Sequence, residues 1–237
     1  ANASAEIGGL VGENAGGAIK NSYATGSVAG GGSYSGGLVG SLGGGGISNP
    51  GSIDSSYATG NVSQGAFVGG LVGGQTAPST ITNSYATGNV TLSNIGETVA
   101  GGLVGSSSGI GSVISNSYAL GNVVSSVSGI AGGLIGQATY TSITNSWAKG
   151  SVQALSVAGG LIGQGLYVQI RSSSATGNVT IIAHPTINSS CSCAGGLVGQ
   201  LQCQSPAYTT FIQDSYATGN VQGIKKDVGG LIGIIVA

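Results

Sequence analysis

Residues able to do chemistry are few in this sequence, and the first candidate is its single histidine. His184 has no acid near it in the sequence, so a serine–histidine–acid triad has no visible third member. Asp54 and Asp214 fall several repeats apart, whereas glycoside hydrolysis needs two carboxylates in one site. No Gly-x-x-x-x-Gly-Lys phosphate loop occurs. The sequence therefore predicts no enzyme, no catalytic residue and no cofactor.

The three cysteines form the second candidate group. Cys191, Cys193 and Cys203 flank one Gly-Gly-Leu segment, and we expect one disulfide, from Cys203 to Cys193 or to Cys191. The third cysteine would stay free or pair between subunits. A zinc site that adds His184 has suitable residue types, but its spacing matches no known finger pattern. The disulfide is therefore favoured, and no metal site is predicted.

Charge is scarce along the whole chain. Charged residues make up 5% of the 237 positions, and the formal net charge is −1. Because no basic patch is present to neutralise phosphates, a nucleic-acid partner is not expected. No apolar run reaches the roughly 18 residues of a membrane span, so a transmembrane protein is not expected either. Weak electrostatic repulsion between copies favours self-association.

Two short motifs alternate from one end of the chain to the other. The first is Gly-Gly-Leu-(Val/Ile)-Gly, whose leucines are Leu10, Leu38, Leu71, Leu103, Leu134, Leu161, Leu197 and Leu231. The second is Ser-Tyr-Ala-Thr-Gly-Asn-Val, whose central positions are Tyr23, Tyr57, Tyr85, Tyr118, Trp147, Ser174 and Tyr216. Periods of roughly 20–50 residues are typical of solenoids, propellers and repeat arrays.

Alignment of the seven copies of the second motif predicts which side chains face inward. Serine, alanine, glycine and valine recur at alternate positions, which is the period of a strand with one constrained face. An invariant isoleucine lies four residues before the aromatic position, and the gap from it to the serine predicts a bend. On the other parity we expect outward ladders of threonine and of aromatic rings, the latter formed by Tyr23, Tyr57, Tyr85, Tyr118, Trp147 and Tyr216. The residue after the glycine is expected at a corner, where asparagines hydrogen-bond along the stack.

In the Gly-Gly-Leu motif we expect the leucine to point inward. The residue after it would then form an outer apolar stripe, unless a bend buries both residues. This stripe would consist of Val11, Val39, Val72, Val104, Ile135, Ile162, Val198 and Ile232.

These patterns predict an all-β fold, a β-solenoid of about seven and a half coils. Consecutive motif centres lie 27 to 42 residues apart, and the shortest spacings are too short for the four strands of a propeller blade. Residues 1–237 would form a single repeat domain. Its repeats start near residues 8, 36, 69, 101, 132, 159 and 195, and residues 229–237 form a half repeat.

The two alternating motifs resemble the GLUG repeat along essentially the whole chain. Ser174 departs from the pattern by losing the aromatic residue, and Leu120 and Lys149 depart from it by losing the threonine. Proteins with this repeat resemble bacterial surface proteins, such as large adhesins and the non-catalytic parts of IgA-cleaving metallopeptidases. The resemblance implies an extracellular or cell-surface setting and a non-catalytic role.

The preferred functional hypothesis is a structural subunit that assembles head to tail into an extracellular fibre. Its assembly end would comprise Leu231, Ile232, Ile234, Ile235 and Val236, a very apolar stretch that forms half a coil. One alternative is a repeat segment of an adhesin, which would bind a host or cell-surface ligand through its loops. A second alternative is an ice-binding solenoid with an ordered threonine file. Sequons at Asn2, Asn61, Asn89, Asn178 and Asn188 are candidate glycosylation sites.

Overall fold

The structure, a computed structural model, describes residues 5–43, 50–76, 78–93, 98–126, 129–182, 192–203, 208–224 and 227–236. Within these ranges the secondary structure consists of 37 short strands, and no helix is present. The strands form five parallel sheets, named A to E in the order in which each coil visits them. All-β solenoid architecture is therefore confirmed.

Sheets A and B carry the two sides of the Gly-Gly-Leu motif and have eight strands each. Sheet A contains β1 (Glu6–Gly8), β6 (Tyr34–Gly36), β11 (Phe67–Gly69), β16 (Thr98–Gly101), β21 (Gly129–Gly132), β26 (Val157–Gly159), β31 (Cys193–Gly195) and β36 (Val228–Gly229). Sheet B contains β2 (Val11–Asn14), β7 (Val39–Leu42), β12 (Val72–Gln75), β17 (Val104–Ser107), β22 (Ile135–Thr139), β27 (Ile162–Leu166), β32 (Val198–Gln202) and β37 (Ile232–Val236).

Sheets C, D and E have seven strands each and carry the rest of every coil. Sheet C contains β3 (Ala18–Lys20), β8 (Ser52–Asp54), β13 (Thr80–Thr82), β18 (Ser112–Ser115), β23 (Thr141–Thr144), β28 (Gln169–Arg171) and β33 (Phe211–Gln213). Sheet D contains β4 (Tyr23–Ala24), β9 (Tyr57–Ala58), β14 (Tyr85–Ala86), β19 (Tyr118–Ala119), β24 (Trp147–Ala148), β29 (Ser174–Ala175) and β34 (Tyr216–Ala217). Sheet E contains β5 (Val28–Ala29), β10 (Val62–Ser63), β15 (Val90–Leu92), β20 (Val123–Ser125), β25 (Val152–Ala154), β30 (Val179–Ile181) and β35 (Val221–Gln222).

The bend predicted between isoleucine and serine is confirmed as the turn from sheet C to sheet D. The residue just before each serine adopts a left-handed backbone, as at Asn116 with φ of 50°. Asparagine, serine or aspartate fills this position in every copy, and asparagine and aspartate are the non-glycine residues that tolerate this conformation best. The repeat therefore encodes the bend locally.

Inward placement of the motif leucines is confirmed, because Leu38, Leu71 and their counterparts through Leu197 are fully buried. The predicted outer apolar stripe is wrong, since Val39, Val72, Val104, Ile135, Ile162 and Val198 are fully buried too. The chain turns between the leucine and the next residue, and the amides of Leu38 and Val39 both donate to the Leu71 carbonyl. The bend that was left open as an alternative thus buries both side chains in one core.

The glycines of the motif allow the two halves of each coil to approach closely. A Cβ atom built on Gly102 would overlap the carbonyl oxygen of Gly133 in the next coil and lie 2.9 Å from the Cβ of Ala119. The same contact recurs along the stack, because each second glycine of the first motif faces the alanine of the second motif. The constant glycine and the constant alanine are therefore two sides of one packing contact.

Candidate functional site

Serines at the turn from sheet C to sheet D form a buried hydrogen-bonded ladder. We call this set the serine ladder: Ser22, Ser56, Ser84, Ser117, Ser146, Ser173 and Ser215. The backbone amide of Ser84 donates to Ser117 Oγ at 3.2 Å, and the amide of Ser117 donates to Ser146 Oγ at 3.2 Å. Each hydroxyl in turn donates to the carbonyl two residues earlier, as Ser117 does to Ser115 at 2.8 Å. We infer that serine recurs at this position because its hydroxyl satisfies backbone groups that would otherwise lie buried without a partner. A need for a small side chain alone would not require serine.

A second ladder lies at the exposed corner between sheets D and E, just after the glycine that recurs in every copy of the second motif. The amide of Asn89 donates to Asn61 Oδ1, the amide of Asn122 donates to Asn89 Oδ1, and each bond measures 2.9 Å. Asn178 likewise accepts from the amide of Asn220. The sequons at Asn61, Asn89 and Asn178 therefore lie on exposed residues whose side-chain oxygens already join two coils. The sequons at Asn2 and Asn188 lie outside the described residues.

Aromatic side chains of sheet D stack on one lateral face of the solenoid. We call them the aromatic ladder: Tyr23, Tyr57, Tyr85, Tyr118 and Trp147, followed after a gap by Tyr216. The centroids of successive rings from Tyr23 to Trp147 are 4.2 to 5.2 Å apart, and their planes deviate by at most 7°. Ser174 takes the next position, so the structure separates Tyr216 from the five rings that it brings together. Offset stacking of this kind contributes about 0.5–1.5 kcal/mol per pair.

The end coils expose apolar side chains that the interior coils bury. Leu10 is 49% exposed, whereas its counterpart Leu38 is fully buried. At the other end Ile235 is 60% exposed, while Leu201, its partner in the preceding coil, is 4% exposed. The predicted assembly residues all lie on β37 or just before it: Leu231 and Ile235 are exposed, and Ile232, Ile234 and Val236 are half-buried.

The predicted disulfide of Cys203 is wrong. Cys203 is a free, exposed thiol, whereas Cys193 is disulfide-bonded. Cys193 begins a three-residue strand before the Gly196–Leu197 bend, and Cys203 follows the five-residue strand after it. Cys203 thus lies roughly three residues, or about 10 Å, further from the bend than Cys193 does. The Cα atoms of the two cysteines are therefore further apart than the roughly 7 Å that a disulfide permits. Cys191 and His184 lie outside the described residues.

Two of the described acids, Asp54 and Glu6, have perturbed pKa values, and the main cause differs between them. Hydrogen bonds from Asn83 and Thr82, each 2.8 Å long, lower the pKa of half-buried Asp54, and nearby Lys20 adds to the effect. Burial and the neighbouring Glu13 carboxylate raise the pKa of Glu6, in the first coil. Among the described residues, no three His, Cys, Asp or Glu side chains are grouped so that they could hold a metal ion. The described part of the chain also contains no helix with the length and apolarity needed to cross a membrane.

A groove that the sequence did not reveal lies where sheet B turns into sheet C. We call it the tyrosine groove: Tyr140, Tyr167 and Tyr208, with Ile110 on one side. The rings of Tyr140 and Tyr167 stack at 5.0 Å, and Tyr208 meets Tyr140 edge-on at 4.6 Å. The cavity measures ≈ 230 Å³, and the described residues that line it include polar Ser142, Gln169 and Thr209 but no charged residue. Tyr140 and Tyr167 share one position, six residues after the leucine of the Gly-Gly-Leu motif, whereas Tyr208 lies eleven residues after its leucine. A position shared by two coils was too weak a pattern to mark the groove.

Tyr140 and Tyr167 both adopt left-handed backbone conformations, with φ of 54° and 55°. Earlier coils turn at Gly16, Gly43 or Gly111, where this conformation carries no Cβ penalty. The left-handed conformation costs a bulky residue on the order of 1–2 kcal/mol. The contacts between the two tyrosine rings offset this cost.

Comparison with known proteins agrees with the repeat structure. The family model described as the GLUG motif matches residues 3–29 and 68–91, and each match contains one copy of both motifs. No curated protein matches the chain significantly. GLUG repeats and stacked parallel coils are consistent with a repeat protein of structural or adhesin-like type. The chain carries GLUG motifs in these two segments and folds as a β-solenoid.

Proposed function

We propose that the chain is a non-enzymatic structural solenoid of the extracellular surface, and that it stacks head to tail with copies of itself into a filament. The observation that carries the proposal is the unbroken parallel stacking of equivalent coils, in which each coil buries the core positions of its neighbour. Leu10 and Ile235 occupy positions that are buried wherever another coil covers them. Burial of such side chains contributes roughly 25 cal/mol per Å² of apolar surface removed from water.

Strand geometry supports head-to-tail stacking over a closed dimer. All pairings are parallel, so the free edge of β37 presents the same direction and register as the strands that pair inside sheet B. The opposite edge, on β2, belongs to the same sheet. Contact between two different surfaces does not close on itself, and repetition of it generates a filament. The edges of sheets A and B, which extend one strand beyond sheets C to E, would supply the backbone hydrogen bonds.

Two features support an extracellular setting. Cys193 is disulfide-bonded, and disulfides persist mainly in oxidising compartments. The GLUG resemblance points to surface proteins. Support for a non-enzymatic role comes from the residues themselves, since one histidine and six scattered acids offer little material for a catalytic site.

The assembly proposal predicts that an acid on the end face prevents filament growth. Ile235→Glu would place an unpaired carboxylate in the buried junction, so we expect monomers by sedimentation velocity and no filaments by negative-stain electron microscopy. Ile110→Glu is the matched control, because Ile110 is 58% exposed on a lateral face and Ile235 is 60% exposed on the end face. Filaments of equal length from both variants would contradict the proposal, as would uniform monomers from the unmodified chain.

An adhesin-like role is the second candidate, and the tyrosine groove favours it. Aromatic faces complement the apolar C–H face of a sugar ring, and neutral hydroxyl and amide groups complement its hydroxyl edge. Because the described lining residues carry no charge, a neutral glycan fits the groove better than an acidic one.

The groove can be tested with hexasaccharides of glucose, of mannose and of N-acetylglucosamine by isothermal titration calorimetry. We expect one of them to bind and Tyr208→Ala to weaken its binding about tenfold, since removing an aromatic contact costs about 1.4 kcal/mol. Tyr23→Ala removes a similarly exposed ring elsewhere and should leave the affinity unchanged. Absence of binding by all three sugars, or equal affinity of the Tyr208→Ala variant, would rule the glycan out.

The ice-binding alternative receives less support. Backbone hydrogen bonds place Thr59, Thr87 and Thr176 in one file, but Leu120 and Lys149 occupy the two positions in its middle. A water-ordering surface needs regular spacing, and two consecutive substitutions break it.

A further inference from the structure

The aromatic ladder has one missing ring, and the space that the ring would fill is open. Ser174 pairs in register with Trp147 on one side and with Tyr216 on the other. A cavity of ≈ 230 Å³ lies at this position, and we call it the ladder slot. It is lined by Trp147, Ala148, Lys149, Ser174, Thr176 and Tyr216.

The spacing of the strands sets the size of the slot. Adjacent parallel strands lie about 4.8 Å apart, so Trp147 and Tyr216, two strands apart, are separated by about 10 Å. A planar ring placed midway would lie about 5 Å from each neighbour. Ring centroids elsewhere in the ladder are 4.2 to 5.2 Å apart. The slot therefore has room for one ring, stacked as the missing tyrosine would be.

Lys149 gives the slot a charge preference. Its ammonium lies 4.9 Å from the centre of the Trp147 ring. Tyr118 covers the other face of that ring at 4.2 Å, with the planes 3° apart, so the ammonium lies on the face turned toward the slot. The described lining holds this one cation, two hydroxyl groups on Ser174 and Thr176, and no carboxylate. A ligand with a negative group would pair with Lys149, while its ring replaces the ammonium over Trp147.

We propose that the ladder slot binds a small aromatic carboxylate. Its ring stacks between Trp147 and Tyr216, and its carboxylate pairs with Lys149 beside the hydroxyl groups of Ser174 and Thr176. The site is independent of end-to-end stacking, because it lies on a lateral face.

Trp147 is the only tryptophan in the chain, so its indole N–H resonance in a ¹⁵N NMR spectrum reports on the slot alone. We expect benzoate to shift this resonance saturably. Benzyl alcohol keeps the ring without the charge and cyclohexanecarboxylate keeps the charge without the planar ring, so both should shift it less at equal concentration. An equal shift by cyclohexanecarboxylate would identify an adventitious ion only and overturn the proposal.

Two variants complete the test. Ser174→Tyr restores the missing ring, so it should abolish the benzoate-dependent shift while the chain stays folded. Lys149→Gln should weaken benzoate binding about tenfold by removing the ion pair, whereas Lys20→Gln, at a distant lysine, should leave it unchanged. An indole resonance that benzoate does not move, or that moves equally in the Ser174→Tyr variant, would overturn the proposal.

Discussion

Replacing Gly102 by alanine is expected to destabilise the solenoid by about 3 kcal/mol or more. The added methyl would overlap a backbone carbonyl oxygen of the next coil, on Gly133, and crowd the Cβ of Ala119. Backbone cannot move aside as a flexible side chain can, so relief would require separating two coils, and overpacking of this kind typically costs about 1–3 kcal/mol or more. Chemical denaturation followed by far-ultraviolet circular dichroism would measure the change in the free energy of unfolding.

Gly230 is the matched control for that substitution. It holds the same motif position in the last described coil, where a Cβ would meet nothing within 4 Å. We expect Gly230→Ala to change stability by less than about 0.5 kcal/mol, as exposed substitutions usually do. Equal destabilisation by both variants would show that the glycine is needed for backbone conformation and not for close packing between coils.

Replacing Ser117 by alanine is expected to cost about 2 kcal/mol, although it removes a single oxygen atom. The substitution leaves the buried amide of Ser84 without its acceptor. The carbonyl of Ser115 loses one of its two donors and keeps the bond from the amide of Asn83. An unsatisfied buried polar group costs about 1–3 kcal/mol, and the alanine is too small to relieve it. The same denaturation measurement gives the result.

Ser22 provides the control at the end of the serine ladder. Its hydroxyl donates to the Lys20 carbonyl at the exposed surface, and among the described residues no amide donates to it. Ser22→Ala should therefore cost less than about 1 kcal/mol. If Ser117→Ala lowered the free energy of unfolding no more than Ser22→Ala does, serine would recur at this position because it is small, as the sequence pattern alone indicates. Hydrogen bonding would then not be the reason.

The repeated features of the fold were predictable because one coil carries the same physical demands as the next. The period-two pattern around each tyrosine identified the strand of sheet D, and the three-residue gap before the serine identified its bend. The structure makes that bend with a left-handed residue, Asn116 in one copy, and asparagine, serine or aspartate fills this position in every copy. A contact that recurs in every coil requires the same residue type at one repeat position, and such a position can be identified from the sequence alone.

Side-chain direction at the Gly-Gly-Leu motif could not be read in the same way. Alternation predicts opposite faces for Leu38 and Val39, but the chain turns between them and buries both. Cys203 was misplaced for a related reason, since its distance from Cys193 depends on how far each strand runs from the bend. Spacing along the chain does not contain that information.

Among the candidate sites, those built from a repeated motif position were predictable, and those built from other residues were not. The aromatic ladder comes from one motif position and was predictable, and the loss of its ring at Ser174 is visible in the alignment. The slot that this loss opens required the structure, because it depends on Lys149 lying over Trp147. The tyrosine groove left only a weak signal, since Tyr140 and Tyr167 share a position in two coils and Tyr208 lies outside that position.

The most direct test of the proposed function is sedimentation velocity of the unmodified chain over a wide range of protein concentrations. Head-to-tail stacking predicts a weight-average sedimentation coefficient that rises continuously with concentration, because each added copy exposes the same end face again. A single monomeric species at every concentration would contradict end-to-end assembly. A fixed dimer would contradict it equally, because closed pairing leaves no free end.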